Sequence, residues 1–199
     1  MSWNARYEGK EYLFGTDPAE FVVRAAAHLP DGAAVLCVAD GEGRNSTYLA
    51  GLGHAVTAFD AAEAGVAKAR RLADRAGVQV AHHIAGVEDW DWSVQYDAVV
   101  GIFIQFAPPD LRDRMFGWMG DAVRPGGLLL LHGYAPRQVG YGTGGPGNAA
   151  QMYTTDLLRA AYPGWDILHL QDYDATIEEG PGHSGRSALV DLVARKPAA

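Results

Sequence analysis

The residues most suited to chemistry here are Asp40, Gly41, Glu42 and Gly43, which follow a short apolar run, and Asp60, which ends the next one. Glycines let a backbone turn tightly and approach a ligand without a clashing side chain. A helix beginning at such a loop offers amide groups to a carboxylate or phosphate. An acid about twenty residues later is placed to accept from both hydroxyls of a ribose. The constellation reads as a nucleoside site made of Ala39, Asp40, Gly41, Glu42, Gly43, Arg44 and Asn45, with Asp60 and Ala61 beyond it. The competing reading is a plain tight turn in which Asp60 caps the next helix. A dinucleotide site wants a third glycine, where this sequence has Ser46. Asp40 and Glu42 would repel a pyrophosphate and suit an ammonium group, which favours S-adenosylmethionine over a nicotinamide dinucleotide.

A second set of candidates follows the later strands: Phe103, Gln105 and Phe106, then His132, Tyr134 and Arg137, then Tyr141, and last His183 and Arg186. His132 and His183 are candidates for taking a proton. Arg137 is a candidate for holding an anionic acceptor, and Tyr141 lies in a glycine-rich loop read as a flap over the acceptor or a surface loop. Phe103 and Phe106 read equally as core, and His132 as a hydrogen-bonded structural histidine. Residues 141–147 lack the Lys-Ser/Thr pair of a phosphate-binding loop, and no Gly-x-Ser-x-Gly frame surrounds Ser46. His82 and His83 are adjacent, so a strand would point them to opposite faces, and no metal site is expected.

Alternating helices and strands must position these groups. Asp17-Pro18 predicts a helix start, running to Leu29. Strands are expected at 33–39, 55–60, 78–84, 96–103 and 128–131, with helices at 44–52, 62–76, 108–123 and 155–161 and a turn at 124–127. Two final strands, 165–172 and 187–195, flank a reversal at Glu179-Gly180-Pro181-Gly182. The expected fold is α/β: a doubly wound, mostly parallel seven-stranded sheet of Rossmann-like type, with five parallel strands followed by an antiparallel terminal pair that ends in an antiparallel C-terminal strand.

At 199 residues the chain is expected to be one domain, 1–199. Its one cysteine, Cys37, allows no internal disulfide and suits a cytoplasmic setting. No early stretch combines a basic start with an apolar run, and no apolar run is long enough for a membrane span, so neither a signal peptide nor a membrane is expected. The net charge of −8 argues against nucleic acid, and the one basic cluster, Lys68, Arg70 and Arg71, reads as a solvated helix face. A small-molecule substrate is the expectation, with a homodimer as the base-rate oligomer.

The run from Val35 to Asn45 resembles the first motif of class I S-adenosylmethionine-dependent methyltransferases. In particular it is similar to the small bacterial branch of tellurite-resistance and thiopurine-type enzymes. Tyr96-Asp97-Ala98-Val99-Val100, Arg124-Pro125-Gly126-Gly127-Leu128 and the final strand from Leu189 resemble the later motifs. The resemblance implies that residues 1–16, with Trp3, Tyr7 and Tyr12, form an aromatic lid over the cofactor. It implies that Phe103 lies in the cofactor site and that the adenine contact falls to the Val87 backbone, or to Glu88 or Asp89. Here the family's usual first acid is Cys37, its first glycine is Ala39, and its adenine acid corresponds to Gly86. The implied activity is methyl transfer to a small nucleophile: a thiol or chalcogen anion, or a hydroxylated or amino metabolite. The alternatives are an NAD(P)-dependent oxidoreductase and an inactive adenosylmethionine-binding protein.

Overall fold

The computed structural model describes residues 2–198. It divides into two compact units, Met1–Asp91 with Glu179–Gly182, and Trp92–Glu178 with His183–Ala199. The strand order is β3-β2-β1-β4-β5-β7-β6, a seven-stranded sheet of the expected α/β class.

In the first unit three parallel strands are β1 (Ala34–Val38), β2 (Ala55–Asp60) and β3 (Val80–Ile84). Val35 to Val38 are all buried, the mark of a strand covered on both faces. The helices are α1 (Trp3–Tyr7), α2 (Glu20–Ala25), α3 (Arg44–Gly51) and α4 (Glu63–Ala76). α4 stops at Gly77, whose φ of 68° lets its amide donate back to the carbonyls of Ala73 and Asp74. The start expected at Asp17-Pro18 is corrected: α2 begins at Glu20, without a side-chain cap. The Ala19 amide donates instead to the Asn45 side chain at 2.9 Å, so a partner from α3 takes over part of the capping. The chain then tightens into a 3₁₀ turn over Ala26–His28.

The second unit holds β4 (Tyr96–Ile102), α5 (Pro109–Ala122), β5 (Val123–Tyr134), α6 (Thr155–Ala161), β6 (Asp166–Glu178) and β7 (Ser184–Arg195). The turn expected at Arg124–Gly127 is instead a bulge inside β5: Tyr96 pairs with Val123 and Ala98 with Leu128, so residues 124–127 bow out opposite Asp97. Arg124 pairs with the Asp97 carboxylate there. A Cβ on Gly127 would sit 2.8 Å from the Asp97 carbonyl oxygen, which requires glycine. The final strands run longer than their apolar stretches, because pairing continues from Ala175↔Ser187 to Glu178↔Ser184. β7 is antiparallel to both β5 and β6, so β6 runs with β5 and the terminal strands are not both reversed.

Candidate functional site

The glycine loop belongs to the first unit. Gly41 and Gly43 have φ of 60° and 85°, and Ala39, at 47°, is forced into the same left-handed region at the end of β1. A side chain there costs about 1 kcal/mol per residue. Ala39→Gly is therefore expected to leave stability unchanged or raise it by up to about 1 kcal/mol, the relief being partly offset by glycine's unfolded-state entropy; a loss in urea denaturation would contradict the strain. A Cβ on Gly43 would stand 2.5 Å from the Ala69 Cβ, so this glycine lets α3 approach α4. A Cβ on Gly41 would stand 2.8 Å from the Tyr7 hydroxyl.

Asp60 holds the loop. One of its carboxylate oxygens accepts from the Gly41 amide and the other from the Ala62 amide, both at 2.8 Å. A carboxylate has about four acceptor positions, so these two bonds use about half of them. Burial raises the Asp60 carboxyl, and the two amides oppose the rise. Burial likewise pushes Asp40 up to about 7, against the Ser46 hydroxyl that donates to it, with Asp60 adding repulsion. Two neighbouring carboxylates kept above their ordinary range form a place where a bound cation is favoured. That donor set fits a sulfonium or ammonium, and it does not fit a phosphate.

Glu42 has another job. Its carboxylate meets the Lys68 ammonium at 2.7 Å, with both side chains almost fully buried. Its second oxygen accepts from the amides of Leu13 and Phe14 at 2.7 and 3.4 Å. Lys68 also donates to the Glu11 carbonyl at 2.6 Å. The solvated face expected at Lys68 is thereby corrected, although Arg70 and Arg71 are exposed. The sequence pattern hid this because the lysine's partner lies 26 residues away. Glu42 thus adds no net negative charge to the loop.

The remaining first-unit candidates are placed as follows. Tyr7 is buried beside the glycine loop; burial first, then Asp60, Glu42 and Asp40, drive its hydroxyl well above the usual range. Trp3 stacks on Tyr7 at 5.7 Å, and Phe14 meets Tyr7 edge-on at 6.3 Å. Tyr12 is pinned on α4, donating to the Lys68 carbonyl at 3.1 Å and accepting from Arg75 at 2.8 Å. Arg44 pairs with Glu179 at 2.7 Å. Val87 is buried, while Ala61 and Glu88 are exposed.

In the second unit the residues gather around a carboxylate that the pattern of the sequence did not single out. Asp191, fully buried in β7, lies opposite His132 of β5. Their Oδ1 and Nδ1 atoms are 2.6 Å apart. The Tyr173 hydroxyl donates to the same oxygen at 3.3 Å, and His169 Nε2 stands 3.7 Å from the other. A lone acid inside Leu189-Val190-Asp191-Leu192-Val193 was the available signal. Phe103 packs on His132 and His183 with ring centroids 4.6 and 4.2 Å apart. With φ of 55°, Phe103 is, beside Ala39, the other non-glycine residue with positive φ among the described residues. Such strain concentrates at functional sites.

Arg137 and Tyr141 meet at Asp174 together with Arg186. Arg137 bonds its Oδ1 at 2.7 Å, while Tyr141 and Arg186 each bond its Oδ2 at 2.7 Å. These donors hold the Asp174 carboxyl well below the usual range. Gln105 hydrogen-bonds both backbone groups of Tyr134, at 2.8 and 2.6 Å, a structural clasp. The glycine-rich loop is tied down, since Gln138 donates to Thr143 at 2.9 Å and Thr143 to the Arg186 carbonyl. Among the described residues no group of three or more His, Cys, Asp or Glu side chains is arranged to hold a metal, and no helix is long and apolar enough to cross a membrane.

Known proteins with similar features point one way. Residues 35–127 match the family model described as a methyltransferase domain. The ubiquinone biosynthesis O-methyltransferase of Paramagnetospirillum magneticum is 32% identical over 100 residues, which is 50% of this chain and 40% of that protein. The chain therefore spans about two fifths of that curated relative. A solved structure described under conversion of a disulfide bond into a thioacetal group during echinomycin biosynthesis superimposes with a TM-score of 0.77 at 21% identity, over 96% of this chain and 86% of the other. TehB from Haemophilus influenzae superimposes at 0.73 and 18% identity, over 98% of this chain and 65% of that one.

Proposed function

We infer that this chain is a class I S-adenosylmethionine-dependent methyltransferase that moves the methyl group to a small-molecule nucleophile, a reading supported by the match of residues 35–127 to a methyltransferase domain. The observation that carries the reading is the glycine loop held by Asp60, with Asp40 beside it. Asp60 has acceptor positions left for ribose hydroxyls, and Asp40 gains a counterion when a cation binds. When bound, the cofactor supplies an already activated methyl on a sulfonium, and the protein has mainly to align the reactants and exclude water. Tyr7, Trp3 and Phe14 supply an aromatic wall of the kind that suits a cation. Ala39, Gly41, Gly43, Arg44 and Asn45 shape the loop and the start of α3, and Val87 and Glu88 follow β3, where the adenine is expected. His132 is the proposed proton acceptor.

Calorimetric titration with S-adenosylmethionine and with reduced dinucleotide tests the reading. Micromolar binding of the former alone is expected. Binding of the dinucleotide alone would replace this reading with an oxidoreductase.

The same titration tests Asp40. Its carboxyl titrates near 7 in the unliganded protein, and a neighbouring cation favours the ionised form. Binding should therefore release a proton below pH 7 and strengthen several-fold from pH 6 to pH 8. In the free protein the sign is opposite: the folded state holds this proton more tightly than the unfolded chain, so its contribution to stability falls as pH rises from about 4 to about 7. Affinity that stays flat with pH, or an unchanged pH dependence in Asp40→Asn, would remove Asp40 from the binding account.

A further inference from the structure

We propose that the reversal Glu179-Gly180-Pro181-Gly182 is a latch on the N-terminal segment. It seats residues 13–15 and, through Phe14 and Tyr7, keeps the aromatic segment closed on the glycine loop, and so sets how fast the cofactor leaves. This rests on the methyl-transfer reading above.

These four residues belong to the first compact unit, with the N-terminal segment and the glycine loop. Three contacts seat them there. The Gly182 amide donates to the Leu13 carbonyl at 2.9 Å. The Glu179 carboxylate meets the Arg44 guanidinium at 2.7 Å, with side chains 11% and 7% exposed. A pair so far from water is little screened by salt. The third contact is steric. A Cβ on Gly180 would stand 2.4 Å from the Gly15 nitrogen and 2.6 Å from the Phe14 carbonyl carbon. The tip therefore lies backbone against backbone on residues 14 and 15, an approach that a side chain would forbid.

Contacts run from this seat to the glycine loop. A Cβ on Gly182 would stand 2.5 Å from a ring carbon of Phe14. The Phe14 ring meets those of Tyr7 and Trp3, each at 6.3 Å. Tyr7 in turn lies on the loop: a Cβ on Gly65 would stand 3.0 Å from both a Tyr7 ring carbon and the Gly41 carbonyl oxygen. Close-packed groups pass a displacement on rather than absorb it. Gly41 is also the residue whose amide Asp60 holds, so a shift of the tip reaches the binding loop.

The segment that would move is lightly held. α1 has five residues, too few to stand as a helix alone. Tyr7 is its one buried residue, and residues 8–11 beyond it are exposed. Its Asn4 side chain accepts from the Ala64 amide at 2.9 Å. Segments with few buried contacts open at low cost. Lifting the tip breaks the Gly182 bond and the Glu179–Arg44 pair and leaves the buried Glu42–Lys68 pair intact.

Hydrogen exchange on the full chain, with S-adenosylhomocysteine as the probe, tests the latch first in the wild type. Added ligand should slow exchange in residues 3–15 and 179–182 together with 41–62. Protection of 41–62 with 179–182 unchanged overturns the proposal and needs no variant. Gly180→Ala then wedges the tip away. In the free protein its exchange over residues 3–15 should rise about tenfold while β4 and β5 keep theirs, and release of S-adenosylmethionine into excess S-adenosylhomocysteine should quicken about tenfold. Glu179→Gln introduces no clash and should quicken release about threefold, the scale of weakening one ion pair. Release at the wild-type rate from Glu179→Gln, or from a folded Gly180→Ala, overturns the latch while the methyl-transfer reading stands. Failure of both ligands to bind the wild type in calorimetry is the distinct result that sinks that reading, and the retention role with it.

Discussion

Replacing Lys68 with Met is expected to lower the unfolding free energy by about 3–5 kcal/mol, the cost of stranding one member of a buried ion pair. Glu42 would keep its charge in a site where its side chain is 2% exposed, with the Leu13 and Phe14 amides left to stabilise it among the described residues. The Glu11 carbonyl would also lose its donor. Adding Glu42→Gln should recover much of the loss, because a neutral amide can still accept from Leu13 and no longer needs a cation. The positive coupling in this double-mutant cycle, read by urea denaturation, separates a desolvated pair from an ordinary surface bridge. A Lys68→Met variant within about 1 kcal/mol of the wild type would show that water reaches the pair. The N-terminal segment should feel the change most, since residues 11–14 are fastened by these same two side chains and by the bond from the Gly182 amide to the Leu13 carbonyl, 2.9 Å long.

Asp60→Ala is expected to weaken S-adenosylmethionine binding by about 1.5–3 kcal/mol, the scale of the charge-assisted bond proposed to the ribose, and to lower stability through the two amides its carboxylate anchors. Asp60→Asn should fall between the two proteins, since its one carbonyl oxygen can keep either the Gly41 or the Ala62 amide but not both. Comparing binding with thermal unfolding assigns the effect. A variant that loses stability and keeps its affinity would make Asp60 a pure loop anchor, and unchanged affinity and stability in Asp60→Ala would contradict both roles.

Much of this was legible before any coordinates. Hydrophobic runs marked β1, β2 and β4, because a strand covered on both faces must be apolar throughout, and Gly77 marked the end of α4. Other features were not legible. The bulge at Arg124–Gly127 looks like a turn because its glycines and proline satisfy either conformation, and only pairing with β4 tells them apart. The outer half of β6 carries Asp172, Asp174 and Glu178, an edge composition that hides a strand held by backbone bonds to β7. The partner that Arg137 and Tyr141 share, Asp174, lies more than 30 residues from either, and a loop arginine and tyrosine carry no sign of it.

The sequence by itself determined the alternation of elements, the position of the glycine loop and the acid that follows it, since these depend on local periodicity and on backbone freedom at single residues. Tertiary structure alone decided what each charge does. Glu42 and Asp40 are two residues apart and equally acidic on paper. One is neutralised by Lys68 and the other is pushed up to about 7 by burial. Asp191 looks like a misfit in an apolar strand until β5 brings His132 beside it. Desolvation and long-range pairing set those roles, and neither is a property of neighbouring residues in the chain.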